Sequence, residues 1–456
     1  MMASFQKVFA IFVIISGSCH AEDLVSYDEW WGPEGSSTEN DTSIRPFTVQ
    51  FDEDIITDLR YRLNHHRNFT SPLNDSAFTY GFNSDSLQSW LTYWSDTYNF
   101  TERETYLNQF PQYKTNVQGL DIHFIRVTPE VPSGVEVVPL LLLHGWPGSV
   151  REFFKAIPLL TAVDDDRDYA VEVIAPSLPG FGFSDAATRP GLGSSEMAVI
   201  LRNFMSRLGY SKFYVQGGDW GAYIATDMCT LFPQEVIGFH TNLALSLSPV
   251  SLGVWALGSL LPSAVVDSSV QDRMYPLLNI VEGLLRELGY LHLQTTKPDT
   301  VGIAMSDSPA GLLAYILQLF SMATTRDNNN KADGGLTDTF SREELLDNLM
   351  IYWMTNSFTT SARLYSETFN IRNVKMGIYA MPTSVPMWSV HAKNELIYQS
   401  PTVLTFKFTN HVHATILDEF GHFLALQAPG VFAEDVLKAI TAFRNCSVNN
   451  ICIRAS

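Results

Sequence analysis

In the stretch "YVQGGDWGAYIA", Tyr214–Ala225, an aspartate stands at the apex of a turn built to display a nucleophile. An apolar run ("FYVQ") leads into the frame Gly217, Gly218, Asp219, Trp220, Gly221, and a helix-like run ("AYIATDMCTLF") follows. Strand, sharp turn and helix succeed one another so closely that the flanking positions need small residues. Serine is the usual apex residue of such an elbow. Aspartate differs because, with an ordinary pKa of about 3.9, it needs no base to ionise it at neutral pH. It can attack an sp³ carbon directly and form an alkyl ester, which leaves a base free for a second step.

Outward from this elbow, "VVPLLLLHGWPGS" and "YAVEVIAPSLPGFGFSD" read as apolar strands closed by Gly/Pro turns. They alternate with helix-like segments such as "REFFKAIPLLTAV" and "SEMAVILRNFMSRLGY". That alternation predicts an α/β fold whose parallel sheet is covered on both faces. Upstream, from Asp23 to about Gly119, the helical periodicity of "DIITDLRYRLNHH" and "SDSLQSWLTYWSDTY" predicts a mostly helical N-terminal extension without a strong strand. From about Ser248 to Thr360 the strand signal vanishes into Leu-rich helical stretches, read as a helical cap inserted into the core. The strand pattern then resumes with "GIYAMPTSVPMWSV", and a last helix closes the chain. The expected units are residues 22–119, a first core part 120–247, the cap 248–360 and a second core part 361–456.

With 456 residues, 46% hydrophobic and 17% charged, the chain can bury a large core. A net charge of −19 argues against nucleic acid or an anionic surface as partner, and for a neutral or cationic small molecule. At the start, Lys7 precedes an apolar run from Val8 to Ile15 that is too short to cross a bilayer. Residues 1–21 are expected to be a secretory signal cleaved near Ala21. The alternative is an uncleaved anchor that associates the protein with a membrane. Sequons at Asn40, Asn68, Asn74, Asn99 and Asn445 fit entry into the secretory pathway. So would a small disulfide loop between Cys446 and Cys452, although two free thiols explain that pair equally well.

The base that hydrolyses an Asp219 ester is expected late in the chain, after the orienting acid. "DEFGHFLALQAP" supplies His422, behind the last apparent strand. Glu395 in "SVHAKNELIYQ" is the preferred acid. Asp418 competes, but only four residues from His422 it is poorly placed to reach the imidazole Nδ1. "HGWPGS", His144–Ser149, ends another strand, and its turn can aim the Trp146 backbone N–H at the ester carbonyl oxygen, with Trp220 N–H as second donor. His144 itself reads as a structural turn residue.

Over nearly its whole length the chain resembles the microsomal-type epoxide hydrolases of the α/β-hydrolase superfamily, among them the insect juvenile-hormone epoxide hydrolases. The resemblance is carried by "WWGP" (Trp30–Pro33), "SIRPF" (Ser43–Phe47), "YGFNS", "GLDIHFI", "LHGWPGS", "GGDWG", "GYLHLQTTKPDTVG", "DSPAGLLAYIL" and "GHFLALQAP". It implies an α/β-hydrolase core with Asp219 as nucleophile, His422 as base and Glu395 as its acid, and it makes Tyr290 and Tyr365 the proton donors to the epoxide oxygen. The chemistry requires such donors, because an alkoxide leaves poorly without a proton. The implied reaction converts an apolar epoxide and water to a vicinal diol, without metal or cofactor. Where the family often has two glycines before the histidine, this chain has Phe420 at the first. Two rival readings are a haloalkane dehalogenase, which shares the elbow Asp followed by Trp, and a non-catalytic binder of apolar epoxides or lipids.

Overall fold

The computed structural model describes residues 24–35 and 41–449. The expected signal or anchor segment, the sequon at Asn40 and Cys452 lie outside these residues. Nine strands form one mixed sheet: β1 (Arg45–Phe47), β2 (Gln112–Val117), β3 (Leu120–Val127), β4 (Glu136–Leu143), β5 (Tyr169–Pro176), β6 (Phe213–Gly217), β7 (Val236–Thr241), β8 (Met387–His391) and β9 (His411–Ile416). Their spatial order is β1-β2-β3-β5-β4-β6-β7-β8-β9. From β5 to β9 every neighbouring pair is parallel, and the edge β1-β2-β3-β5 is antiparallel. Strands β5, β6 and β8 are buried along their whole length and β4 over its last four residues, "LLLL", as near-continuous apolar runs require when helices cover both faces.

Register places the chemistry. Leu143, the last residue of β4, pairs with Gly217, the last of β6, so the turn after β4 and the elbow after β6 emerge side by side. β8 ends at His391 and β9 at Ile416, each running into the loop that carries a further candidate. All four connections leave from carboxyl ends of parallel strands, where α/β sheets bind ligands.

Two expectations need correction. The N-terminal extension is mostly helical, with helices Glu53–Asn64, Ser84–Thr92 and Phe100–Leu107, but it also contributes β1 and β2. "QYKTNV" hid as a strand because it lies near the sheet edge and buries only alternate stretches of a polar sequence. The insertion between β7 and β8 is helical as expected, including Leu277–Glu287, Gly289–Thr296, Pro309–Thr324 and Arg342–Thr355, but it does not stop at 360. Helices Phe358–Thr368 and Ile371–Met376 continue it, so Tyr365 stands on a helix of the cap. Among the described residues no single helix is long and apolar enough to cross a membrane.

Candidate active site

Asp219 holds its side chain up by adopting φ 47°, a left-handed conformation costly for a residue with a Cβ. The elbow tolerates this because its neighbours are glycines: a Cβ on Gly217 would lie 2.3 Å from Gly221 O, and one on Gly221 would lie 2.1 Å from Leu143 O. Strand and helix therefore approach at backbone contact, and only the apex side chain projects into the site.

The turn "HGWPGS" brings its donor to the carboxylate. Trp146 N–H donates to Asp219 Oδ1 at 2.7 Å. No hydrogen bond among the described residues joins Trp220 N–H to that carboxylate. The cap helix Arg342–Thr355 holds the turn: Asn348 Nδ2 donates to Pro147 O at 2.7 Å and Tyr352 Oη donates to Gly148 O at 2.9 Å. Directly before Asn348 on the helix, buried Asp347 accepts from Arg151, Arg103 and Tyr98, which ties turn, cap and N-terminal extension into one network. His144 is structural as expected. Its Nε2 accepts from Leu178 N–H at 3.1 Å, and burial lowers its pKa to about 4.

His422 is 6% exposed and stands between two carboxylates. Its Nδ1 donates to Glu395 Oε1 at 2.8 Å, and its Nε2 lies 3.4 Å from Asp219 Oδ2. Burial opposes a charge on the ring, but Glu395 and Asp219 outweigh it and hold the imidazole well above its ordinary value. The loop is fixed from both sides. His422 N–H donates to Ala323 O of cap helix Pro309–Thr324 at 2.9 Å, and Asn394 N–H donates to Phe420 O at 2.9 Å, which joins the histidine loop to the Glu395 loop. Phe420 sits at φ 65°, a conformation glycine adopts without cost, so the departure from the family's glycine leaves a strained backbone at this junction. Asp418 points elsewhere: its side chain is 94% exposed and pairs with Arg273 at 3.3 Å.

Above Asp219 the aromatic rings close a box. Tyr290 stacks on Trp146, with centroids 5.5 Å apart and planes at 17°. Tyr365 meets Trp220 edge-on at 4.7 Å and Tyr290 at 6.1 Å. Burial and then the Asp219 charge raise the Tyr290 hydroxyl. Burial and then Tyr290 raise Tyr365. Both phenols therefore stay protonated, as donors must.

The region 44–153 matches the family description "Epoxide hydrolase N terminus", and 138–259 matches "alpha/beta hydrolase fold". The juvenile hormone epoxide hydrolase of Bombyx mori is 54% identical over 91% of this chain and 90% of that protein. The chain belongs to the microsomal-type epoxide hydrolases. Epoxide hydrolase 1 of Sus scrofa is 40% identical over 91% of this chain and 93% of its own length. The crystal structure of the silkworm enzyme covers 93% of this epoxide hydrolase, and is covered completely by it, with a TM-score of 0.92. The structure of Aspergillus niger epoxide hydrolase, 23% identical with a TM-score of 0.72, shares the fold. As an epoxide hydrolase the protein is an enzyme, and neither the dehalogenase nor the non-catalytic reading stands.

All five side chains singled out from the sequence converge on this one site. Sequence reasoning missed the residues that frame it. Tyr315 and Phe358 complete the ring box around Trp146, and Asn348 and Tyr352 hold the donor turn. An aromatic or amide in a helical cap gives no signal by spacing, because core packing uses the same residues at the same positions.

Proposed function

We propose that this epoxide hydrolase works through an Asp219 ester. Asp219 attacks one epoxide carbon from the face opposite the C–O bond that breaks, while Tyr290 and Tyr365 donate hydrogen bonds and a proton to the departing oxygen. Trp146 N–H, with Trp220 N–H as second donor, stabilises the carbonyl oxygen of the ester as it becomes tetrahedral, worth about 3 kcal/mol per donor. His422, oriented by Glu395, then takes a proton from water, which attacks the Asp219 carboxyl carbon and releases the diol. The observation that carries this reading is His422 set between Asp219 Oδ2 and Glu395 Oε1, beneath two protonated phenols.

Esterification also solves a protonation problem. In the resting site two carboxylates keep His422 charged, and a charged imidazole is no base. Alkylation of Asp219 removes one of those charges and lowers the imidazole pKa, so the ring gives up its proton to restore the phenol that protonated the epoxide oxygen, and the base is free for the step that needs it.

For the substrate, we infer the epoxide of a juvenile hormone. Identity to relatives named for that substrate runs from 43% to 54%, against 40% to epoxide hydrolase 1. The ring-lined box suits an apolar epoxide. Assaying the purified enzyme against juvenile hormone, styrene oxide and an epoxidised fatty acid tests this. A kcat/KM for juvenile hormone at or below the other two would sink the substrate assignment and leave the chemistry standing.

The catalytic domain is further proposed to be luminal or secreted. In support, Asn68, Asn74, Asn99 and Asn445 are all exposed, and Cys446 is disulfide-bonded whereas Cys229 is a free buried thiol. Disulfides persist in oxidising compartments.

A further inference from the structure

Buried carboxylates in this protein are generally well partnered. Asp347 accepts from two arginines and a tyrosine, Asp227 from Ser194 and Ser195, and Asp435 from Trp388 and Thr415 while pairing with His240. Glu152 is different. It lies in the helical turn Val150–Phe153, directly after the donor turn, and that turn packs against the short helix Leu424–Gln427 that follows His422. Its carboxyl enters no hydrogen bond or ion pair among the described residues, yet the side chain remains partly accessible. The carboxyl folds back over the donor turn: a Cβ on Gly148 would stand 2.7 Å from Glu152 Oε2, so glycine there leaves it room. Burial pushes its pKa up to about 8, His422 opposes that shift and Asp219 adds to it, so both reacting groups lie within electrostatic reach. A carboxyl without a protein partner, at a place that solvent still reaches, calls for water.

We infer that Glu152 holds the water that hydrolyses the ester, accepting one of its hydrogens while His422 Nε2 takes the other. The assignment rests on the ester mechanism proposed above. The water oxygen bonds to the Asp219 carboxyl carbon, one proton passes to His422, the ester C–O bond breaks, and the alkoxide recovers that proton to complete the diol; the water's other proton, left on the Asp219 carboxyl, then passes to His422 Nε2, 3.4 Å from Oδ2, and restores the resting charges. Glu152 takes no proton from the water and acts by positioning. Its loss therefore strikes only the second step, whereas a general loosening of the site would slow both.

Rapid-quench mass spectrometry of single turnovers with styrene oxide separates the steps, with Glu152→Leu, Glu152→Asp and Glu152→Gln compared with wild type. The Leu variant should form ester within about twofold of the wild-type rate and hydrolyse it about tenfold more slowly or worse, as misplacement of a reactant does. Asp, one methylene short, should show the same split if the Leu variant does not fold. Gln keeps an acceptor oxygen at the same reach and should recover hydrolysis to within about threefold. Unchanged hydrolysis in Leu and Asp, or equal slowing of both steps, overturns the assignment. Absence of any ester in wild type would instead overturn the mechanism beneath it.

Discussion

His422 Nε2 stands 3.4 Å from Asp219 Oδ2, beyond a good hydrogen bond but near enough for one water to be shared with the carboxyl carbon. Attack on that carbon has an isotopic consequence. One turnover in heavy-oxygen water should label the Asp219 side chain, and the first diol should carry an oxygen from the carboxylate itself. With His422→Gln the ester should form and persist. If the label appears in the first diol and never in the enzyme, water opens the epoxide directly and no ester lies on the path.

The tyrosines serve the other step. Tyr290→Phe and Tyr365→Phe should each slow ester formation, and the double variant should lose about 10²- to 10⁴-fold, the range of general acid catalysis. Ester already formed should decay at the wild-type rate, because no epoxide oxygen remains to be protonated. Equal loss in both steps would reduce the two phenols to packing residues of the ring box.

The two steps should also part company with pH. Ester formation needs Asp219 ionised; hydrolysis needs His422 neutral. The ester state lacks the Asp219 charge that helps to raise His422, so its imidazole titrates below the resting one, and hydrolysis fails as pH falls through that lower value. Lowering the pH through the titration of that imidazole should therefore accumulate ester, as quenched single turnovers would reveal. The resting histidine has the opposite consequence for stability. Its folded pKa is raised, so the stabilisation is complete below the unfolded value near 6.5 and is lost as pH rises through the folded value. Parallel loss of both steps on acidification would contradict the proposed order of charges.

The elbow was legible because its requirements are local: a displayed side chain, two glycines and an apolar strand stand within a dozen residues. His422 and Glu395 were legible by order along the chain, and geometry separates Glu395 from Asp418 by what sequence spacing only suggested, one carboxylate at 2.8 Å from Nδ1 and the other turned to solvent. β1 and β2 were not legible, since a polar strand near a sheet edge needs no apolar alternation to find its partner. Glu152 and Asn348 were hidden for another reason. Their meaning comes from which turn of the fold they face, and nothing in "VREFF" or "LLDNL" distinguishes that from an ordinary helix surface.

The compartment can be tested on the full-length chain. Lys7 precedes the apolar run, while Glu22, Asp23, Asp28 and Glu29 follow it and no basic residue does so nearby, which disfavours keeping the following domain in the cytosol. Four sequon asparagines are exposed on the folded surface. At Asn99 the carboxamide also caps helix Phe100–Leu107, with Oδ1 accepting from Glu102 N–H at 3.2 Å. A glycan attaches to the nitrogen and leaves that oxygen free, so modification costs only the longer Nδ2 contact to Glu102 at 3.4 Å. Expression in secretory cells should give a band that N-glycosidase shifts downward, in steps that substitution of the individual sequon asparagines removes. A band that never shifts and stays on cytosol-facing membranes would overturn the luminal assignment and restore the anchored one.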